Sequence, residues 1–179
     1  MGRGGSAAGF RMMALSYRVR DALRPRRPFL KETGLTEGMT VLDFGCGPGS
    51  YVIPAAHMVG ACGRVYALDM RQAALTMTRD RAAKAGLTNV ETILSDCDTG
   101  LPERSVDVAL LYDVYHDLAY PTVVLKELHR ILKVEGALSS HDHHLKRNEL
   151  KRMIESSDLF RVTKTGTRTL TFAPERKEL

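Results

Sequence analysis

Apolar positions along the chain follow two alternating rhythms. Short apolar runs occur at 40–44, 64–68, 90–94, 106–111 and 136–140, each of a length suited to a buried strand. Between most of them the spacing turns helical. It predicts a helix over 50–60, with Pro54 delaying its start or bending it. A second is expected over 71–85, closed by Gly86 in the usual C-terminal glycine position. A third spans 121–133, opened by Pro121, with Val124, Leu125, Leu128, Ile131 and Leu132 on one face. Strands that alternate with helices imply right-handed crossovers and a parallel sheet covered on both faces.

The rhythm changes near the C-terminal end. Residues 146–156 have helical spacing, and 160–165 and 167–172 read as two strands around Gly166. So short a connection makes them antiparallel neighbours. The expected fold is therefore α/β and doubly wound, with a mostly parallel seven-stranded sheet ending in an antiparallel hairpin. At the other end, residues 1–9 are rich in Gly, Ala and Ser and predict a flexible leader. Residues 10–23 have helical spacing with arginines between the apolar positions, ended by Pro25. This divides the chain into a basic leader with an N-terminal helix over 1–28 and one domain over 29–179.

Composition adds bounds. A chain of 179 residues, 44% hydrophobic and 26% charged, suits one globular domain with a real core. No apolar run approaches the roughly 18 residues of a membrane span, and the arginine-rich start lacks the apolar stretch of a secretory signal. Cys46, Cys62 and Cys97 are odd in number and lack C-x-x-C spacing, against a disulfide framework. These features predict a cytoplasmic protein. The net charge of +5 raises a nucleic-acid reading, but Arg3, Arg11, Arg18, Arg20, Arg24, Arg26 and Arg27 carry much of the excess. A solvated arm has the same composition, so no stable nucleic-acid binding is expected. Met1–Ser6 also fits an M-G-x-x-x-S acylation pattern, which a glycine-rich leader fits equally well.

The sharpest motif is Val41-Leu42-Asp43-Phe44-Gly45-Cys46-Gly47-Pro48-Gly49-Ser50. A buried strand runs into three alternate glycines and then a helix, a corner where the backbone can take unusual angles and a ligand can approach it. By itself this is equally a tight strand-to-helix turn. Asp69, about 20 residues on at the end of the next strand, stands where an acid can accept from ribose hydroxyls. NAD is the rival ligand for such a loop, but Ser50 stands where a dinucleotide fingerprint places Gly or Ala.

With these residues in view, the chain resembles the class I S-adenosylmethionine (SAM) dependent methyltransferases, and in particular the ubiquinone/menaquinone-biosynthesis-type, small-molecule branch. The resemblance covers about residues 30 to 172. Val41–Ser50 looks like the D-x-G-x-G-x-G loop, and 65–70 like the second strand with its ribose acid. Ser95-Asp96-Cys97 with 101–107 resembles the stretch that brackets adenine. Residues 125–138, L-K-E-L-H-R-I-L-K-V-E-G-A-L, resemble the helix and fifth strand, with Val134-Glu135 where that branch usually has proline and glycine. The resemblance implies a Rossmann-like fold and SAM as cofactor. It places Gly45, Cys46, Gly47 and Gly49 under the methionine part, Asp43 beneath that loop, Asp69 on the ribose and Met70 against adenine. Asp96 would accept from the adenine amino group beside the Cys97 backbone, and Tyr112 would help wall the site. Met70 as packing and Asp96 as a turn residue are the plainer alternatives.

The sulfonium supplies the hard chemistry, so the protein must align an acceptor in line with the methyl group. His116, in Tyr112-Asp113-Val114-Tyr115-His116-Asp117, is the candidate general base, since an unperturbed imidazole titrates near operating pH. It can equally position substrate or form wall. The segment lacks the prolines of an Asn/Asp-Pro-Pro-Tyr-like motif, which disfavours methylation of nucleic-acid bases. A small-molecule acceptor comes first, a protein or RNA second. His141-Asp142-His143-His144 follows the fifth strand and is read as acceptor-pocket lining, with a metal as the lesser alternative. A non-catalytic SAM-binding regulatory module is the other functional class.

Overall fold

A computed structural model describes residues 26–176. The helix expected over 10–23 lies outside the described residues. The elements are α1 (Arg27–Glu32), β1 (Thr40–Phe44), α2 (Val52–Val59), β2 (Arg64–Asp69), α3 (Gln72–Lys84), β3 (Val90–Leu94) and β4 (Val106–Tyr112). A 3₁₀ turn (Tyr115–Asp117), α4 (Pro121–Ile131), β5 (Leu132–His141), α5 (Arg147–Glu155), β6 (Phe160–Thr165) and β7 (Leu170–Pro174) complete them. One sheet holds all seven strands in the order β3-β2-β1-β4-β5-β7-β6. β1 to β5 pair in parallel, whereas β7 is antiparallel to both β5 and β6.

Period-two alternation feeds two cores. Leu42 and Phe44 of β1, with Ala109 and Leu111 of β4, pack against the apolar face of α4 and against Leu150 and Ile154 of α5. Val41, Val108, Leu110 and Tyr112 face the other way, onto Leu30 of α1 and Val52, Ala55, Ala56 and Val59 of α2. Burial on both sides explains why these strands read as nearly continuous apolar runs. Among the described residues no helix is long and apolar enough to cross a membrane.

Several boundaries differ from the sequence reading, each for a local reason. α2 starts at Val52, because the glycine loop continues through Tyr51; Pro54 is then its third residue, where an N–H has no intrahelical partner to lose. α4 stops at Ile131 and β5 begins at once, ten residues long. Leu132 is buried and pairs with Val106, after which the register jumps so that Ala137 pairs with Val108. The extra residues, Val134 and Glu135 among them, bulge outward. Gly136 closes this bulge: a Cβ there would lie 3.0 Å from the Lys133 backbone and 3.1 Å from Asp107 O.

β7 starts at Leu170 instead of Thr167. The Glu32 carboxylate of α1 captures the amides of Arg168 and Thr169 and the Thr169 hydroxyl, which takes those residues out of the ladder. Burial raises the Glu32 pKa, but these donors outweigh it and hold the carboxyl below its usual range. α1 was not foreseen, and the division placed at residue 28 falls inside it.

Candidate active site

The glycine loop leaves β1 at the point where the chain order of the sheet reverses, with β2 on one side and β4 on the other. Open α/β sheets bind ligands at that crevice. Gly45, Gly47 and Gly49 have φ of 74°, 53° and 78°, which L side chains rarely adopt. The loop is held from two sides. Gly45 N and Cys46 N both donate to Leu68 O (2.8 and 2.9 Å), and Gly47 N donates to Asp69 Oδ2 (2.9 Å). From α3, Thr78 Oγ1 donates to Gly47 O (3.0 Å) and Arg81 Nη1 to Pro48 O (2.9 Å). Cys46 turns its side chain into the core, and burial pushes its thiol pKa far up.

Beside the loop lies a cleft of about 350 Å³, walled by Phe44, Gly45, Leu68, Asp69, Met70, Arg71, Ser95, Asp96, Asp113, Val114, Asp117 and Leu118. Four residues singled out in the sequence, Gly45, Asp69, Met70 and Asp96, meet here. Met70 is 69% exposed, a large apolar side chain left open over the cleft. Asp69 is buried, its Oδ1 accepting Arg71 N (2.9 Å) and Nε (3.2 Å). An ionised carboxylate offers about four lone-pair sites, so the exposed Arg71 side chain is the partner a ligand could replace. Cys97 stands outside this wall; its amide donates to Ser95 Oγ (3.2 Å) and its side chain packs on the core.

The loop after β3 is tied to α4. Glu127 Oε1 accepts the Thr99 amide (3.0 Å) and hydroxyl (2.5 Å), and Arg130 bridges from Glu127 Oε2 (2.7 Å) to Leu101 O (2.8 Å). Chiefly the Arg130 guanidinium, helped by Thr99, holds the Glu127 carboxyl down at about 2. This accounts physically for the Glu and Arg of the L-K-E-L-H-R segment: they fix the loop that follows Asp96.

At the ends of β4 and β5, Asp113 and Asp142 exchange partners across the two loops. Asp142 Oδ2 accepts His116 N (3.2 Å) and lies 2.8 Å from His116 Nδ1. Asp113 Oδ1 accepts His143 N (3.1 Å) and lies 2.9 Å from His143 Nδ1. The ring of His144 lies between the other two, 4.1 Å from His116 and 3.9 Å from His143. Asp113, Asp142 and His143 gather ligand-type atoms within 4.8 Å of one another; all three residues also take part in this latch. Tyr112 lies below it and away from the cleft, its hydroxyl 2.6 Å from Ser139 Oγ and its ring 4.7 Å from Tyr51. Phe29 of α1 covers this aromatic group and reaches His141 at 5.1 Å.

Residues 35–171 match the family model described as "Methyltransferase domain". The chain belongs to the methyltransferase family. A SAM-dependent methyltransferase of Aquifex aeolicus has a similar solved structure, with a TM-score of 0.73 and 29% identity over 88% of this chain and 96% of that one. Aklanonic acid methyltransferase DauC of a Streptomyces species is 38% identical over 74 residues, 41% of this chain and 34% of the relative. The demethylmenaquinone methyltransferase of Geobacillus stearothermophilus is 29% identical over 118 residues, 65% of this chain and 50% of the relative. The chain thus spans between a third and a half of the length of these curated relatives.

With the family comes SAM as cofactor, and the residues of this chain fit it. Asp43 is buried under the glycine loop with an Oδ2 that has no hydrogen-bond partner. Burial, and then the Asp69 charge, push its carboxyl up to about 7. An orphaned carboxylate of this kind awaits a cation, and the methionine part of SAM carries an ammonium group. Above Gly47 a Cβ would meet nothing within 4 Å, so the backbone is open to a ligand there. Gly45, by contrast, lies so close to Val114 that a Cβ would come within 2.6 Å of its Cγ2.

The sequence reading missed Arg71, Asp113, Val114, Asp117 and Leu118 as cleft residues, and Asp142 as the partner of His116. The last four of the cleft residues follow β4 directly, so proximity to a strand's C-terminal end was the available signal.

Proposed function

We propose that this protein transfers the methyl group of SAM to a small organic acceptor bound beside the latch at the ends of β4 and β5. The observation that carries the reading is the cleft at the reversal point of the sheet, with Asp69 and Asp96 along it and the unpartnered Oδ2 of Asp43 buried next to its wall residues Phe44 and Gly45. When bound, SAM supplies a methyl group on a positively charged sulfur. The chain's own task is placement: Asp43 and the glycine loop hold the amino-acid end, Asp69 the ribose, and Met70 and Asp96 the base. Fixing both ends leaves the methyl group one direction of approach, and holding reactants in line is worth several kcal/mol of barrier.

A small acceptor is supported by the named substrates of the relatives, aklanonic acid and demethylmenaquinone, and by the missing prolines after β4. Cytoplasmic residence suits the three unpaired cysteines, and no stable nucleic-acid binding is expected. Calorimetry should find SAM and S-adenosylhomocysteine binding at micromolar levels and NAD negligibly. A metabolite pool should then turn SAM into S-adenosylhomocysteine. NAD binding tighter than SAM would sink the reading, and binding without turnover would turn it into a regulatory SAM-binding module.

A further inference from the structure

We infer that Asp142 is a positioning residue that presents Nε2 of His116 as the proton acceptor for a hydroxyl-bearing methyl acceptor. This rests on the methyl-transfer reading above.

The Asp142 side chain is fully buried, and both its oxygens are engaged. Oδ2 takes the amide and lies 2.8 Å from Nδ1 of His116, and Oδ1 accepts His144 N at 2.9 Å. Burial alone would raise its pKa, yet the His116 ring and the two amides outweigh this and hold it below the usual carboxylate range. An ionised carboxylate can only accept, so the neutral ring carries its proton on Nδ1 and keeps the Nε2 lone pair free. Nε2 lies 3.5 Å from Oδ2 of the exposed Asp117 side chain, and Asp117 lines the cleft. The tilted His144 ring packs against that of His116, with His143 and its Asp113 partner behind, and this hinders reorientation. A ring that merely filled a wall would need no buried carboxylate behind it.

The acceptor class follows from what such a base is for. Thiolates and neutral amines attack with a lone pair they already hold, whereas a phenol or enol hydroxyl gains most from losing its proton as it attacks. The hydroxyl oxygen forms the new bond to the methyl carbon. The carbon–sulfur bond breaks with its electron pair left on sulfur, which yields S-adenosylhomocysteine. The hydroxyl proton passes to His116 Nε2, where Asp142 behind the ring and Asp117 beside it stabilise the imidazolium, and then to solvent.

Long-range ¹H–¹⁵N spectra of ¹⁵N-histidine-labelled protein at pH 8, assigned with His116→Gln, read the tautomer directly. His116 should carry its proton on Nδ1, and Asp142→Asn should move it to Nε2 while S-adenosylhomocysteine binding persists. A bare Nδ1 in the wild type, or an unchanged tautomer in Asp142→Asn, overturns the positioning role. The second arm follows S-adenosylhomocysteine formation from para-substituted phenols of graded acidity. Asp142→Asn should lower kcat at least tenfold for the weakly acidic members, with KM for SAM unchanged, and should cost least for 4-nitrophenol, which is already ionised. Equal loss across the series, or no product from any phenol while SAM binds, overturns the hydroxyl assignment. Failure to bind SAM at all would instead overturn the methyl-transfer reading.

Discussion

His143 Nδ1 lies 2.9 Å from Asp113 Oδ1, and the same oxygen accepts the His143 amide across 30 residues of chain. Asp142 and His116 repeat the contact in the opposite direction, so each loop supplies one carboxylate and one imidazole. Asp113 holds a left-handed φ of 54° to do this, a conformation that costs a non-glycine residue of order 1 kcal/mol. Asp113→Ala should therefore lower stability by about 0.5–1.5 kcal/mol, the net worth of a hydrogen bond whose donors on the exposed His143 can turn to water. Denaturant melts and faster exchange at the His143 amide check this.

Asp43 makes apo stability depend on pH in an uncommon direction. Its carboxyl titrates near pH 7 in the folded chain and near 3.9 in an unfolded one. Between those values only the folded state holds the proton, so stability falls as pH rises from about 4 to 7 and is flat beyond. Asp43→Asn should raise the apo melting temperature at pH 8 and leave it nearly unchanged at pH 4. The same variant should weaken SAM binding at pH 8 by tenfold or more, since an amide cannot offer the charge that an ammonium group meets. Thermal scans and calorimetry at the two pH values test both halves.

Asp69→Ala should weaken SAM binding more than Asp96→Ala. In the proposed placement the Asp69 carboxylate would face the ribose, and it also anchors Gly47 N of the loop, while Asp96 is exposed and has one proposed contact. Hydrogen bonds to a charged group are worth about 1.5–3 kcal/mol, tenfold or more in dissociation constant. Equal affinities for wild type and Asp69→Ala would mean the ribose lies elsewhere.

Glu127 gives the opposite pH signature from Asp43. Its carboxyl, at about 2 in the fold against an ordinary 4.5, contributes stability above pH 4.5 that is lost as pH falls toward 2. The contribution is on the order of 2–3 kcal/mol. Glu127→Gln should lower the melting temperature at pH 7 and flatten the acid limb of the stability profile. SAM affinity should fall only modestly, because the loop after β3 loosens while the cleft's own side chains remain.

Two glycines of one loop should respond differently. Gly45→Ala drives a Cβ to 2.6 Å from Val114 Cγ2 and should destabilise the apo protein by more than 2 kcal/mol. Gly47→Ala meets no protein atom and costs only the backbone strain of about 1–2 kcal/mol. It should nevertheless remove most SAM binding, because the new methyl group occupies the ligand's approach. Melting curves and calorimetry on both variants separate the two effects.

The sheet, its doubly wound helices and the terminal hairpin were legible in the chain because each depends on local periodicity. Apolar runs bounded by Gly and Pro specify strands, and 3.6-residue spacing specifies α3, α4 and α5, whatever else they touch. The glycine loop with Asp43 before it and Asp69 one strand later could be read for the same reason: its geometry follows from backbone freedom and a fixed separation. α1 and the late start of β7 could not be read, since they depend on Glu32 reaching a loop 136 residues away. The early start of β5 depends likewise on pairing with Val106.

Most of the acceptor side belongs to tertiary structure alone. His116 and the 141–144 cluster were each visible as candidates, yet nothing along the chain joins them. Only the placement of β4 beside β5 in the sheet brings Asp142 to His116 and Asp113 to His143. Tyr112, at the end of a strand, could face either side of the sheet edge, and packing against Tyr51 and Phe29 turned it into the core. A side chain's chemistry is written in its own residue, but its hydrogen-bond partner is chosen by which strands lie side by side.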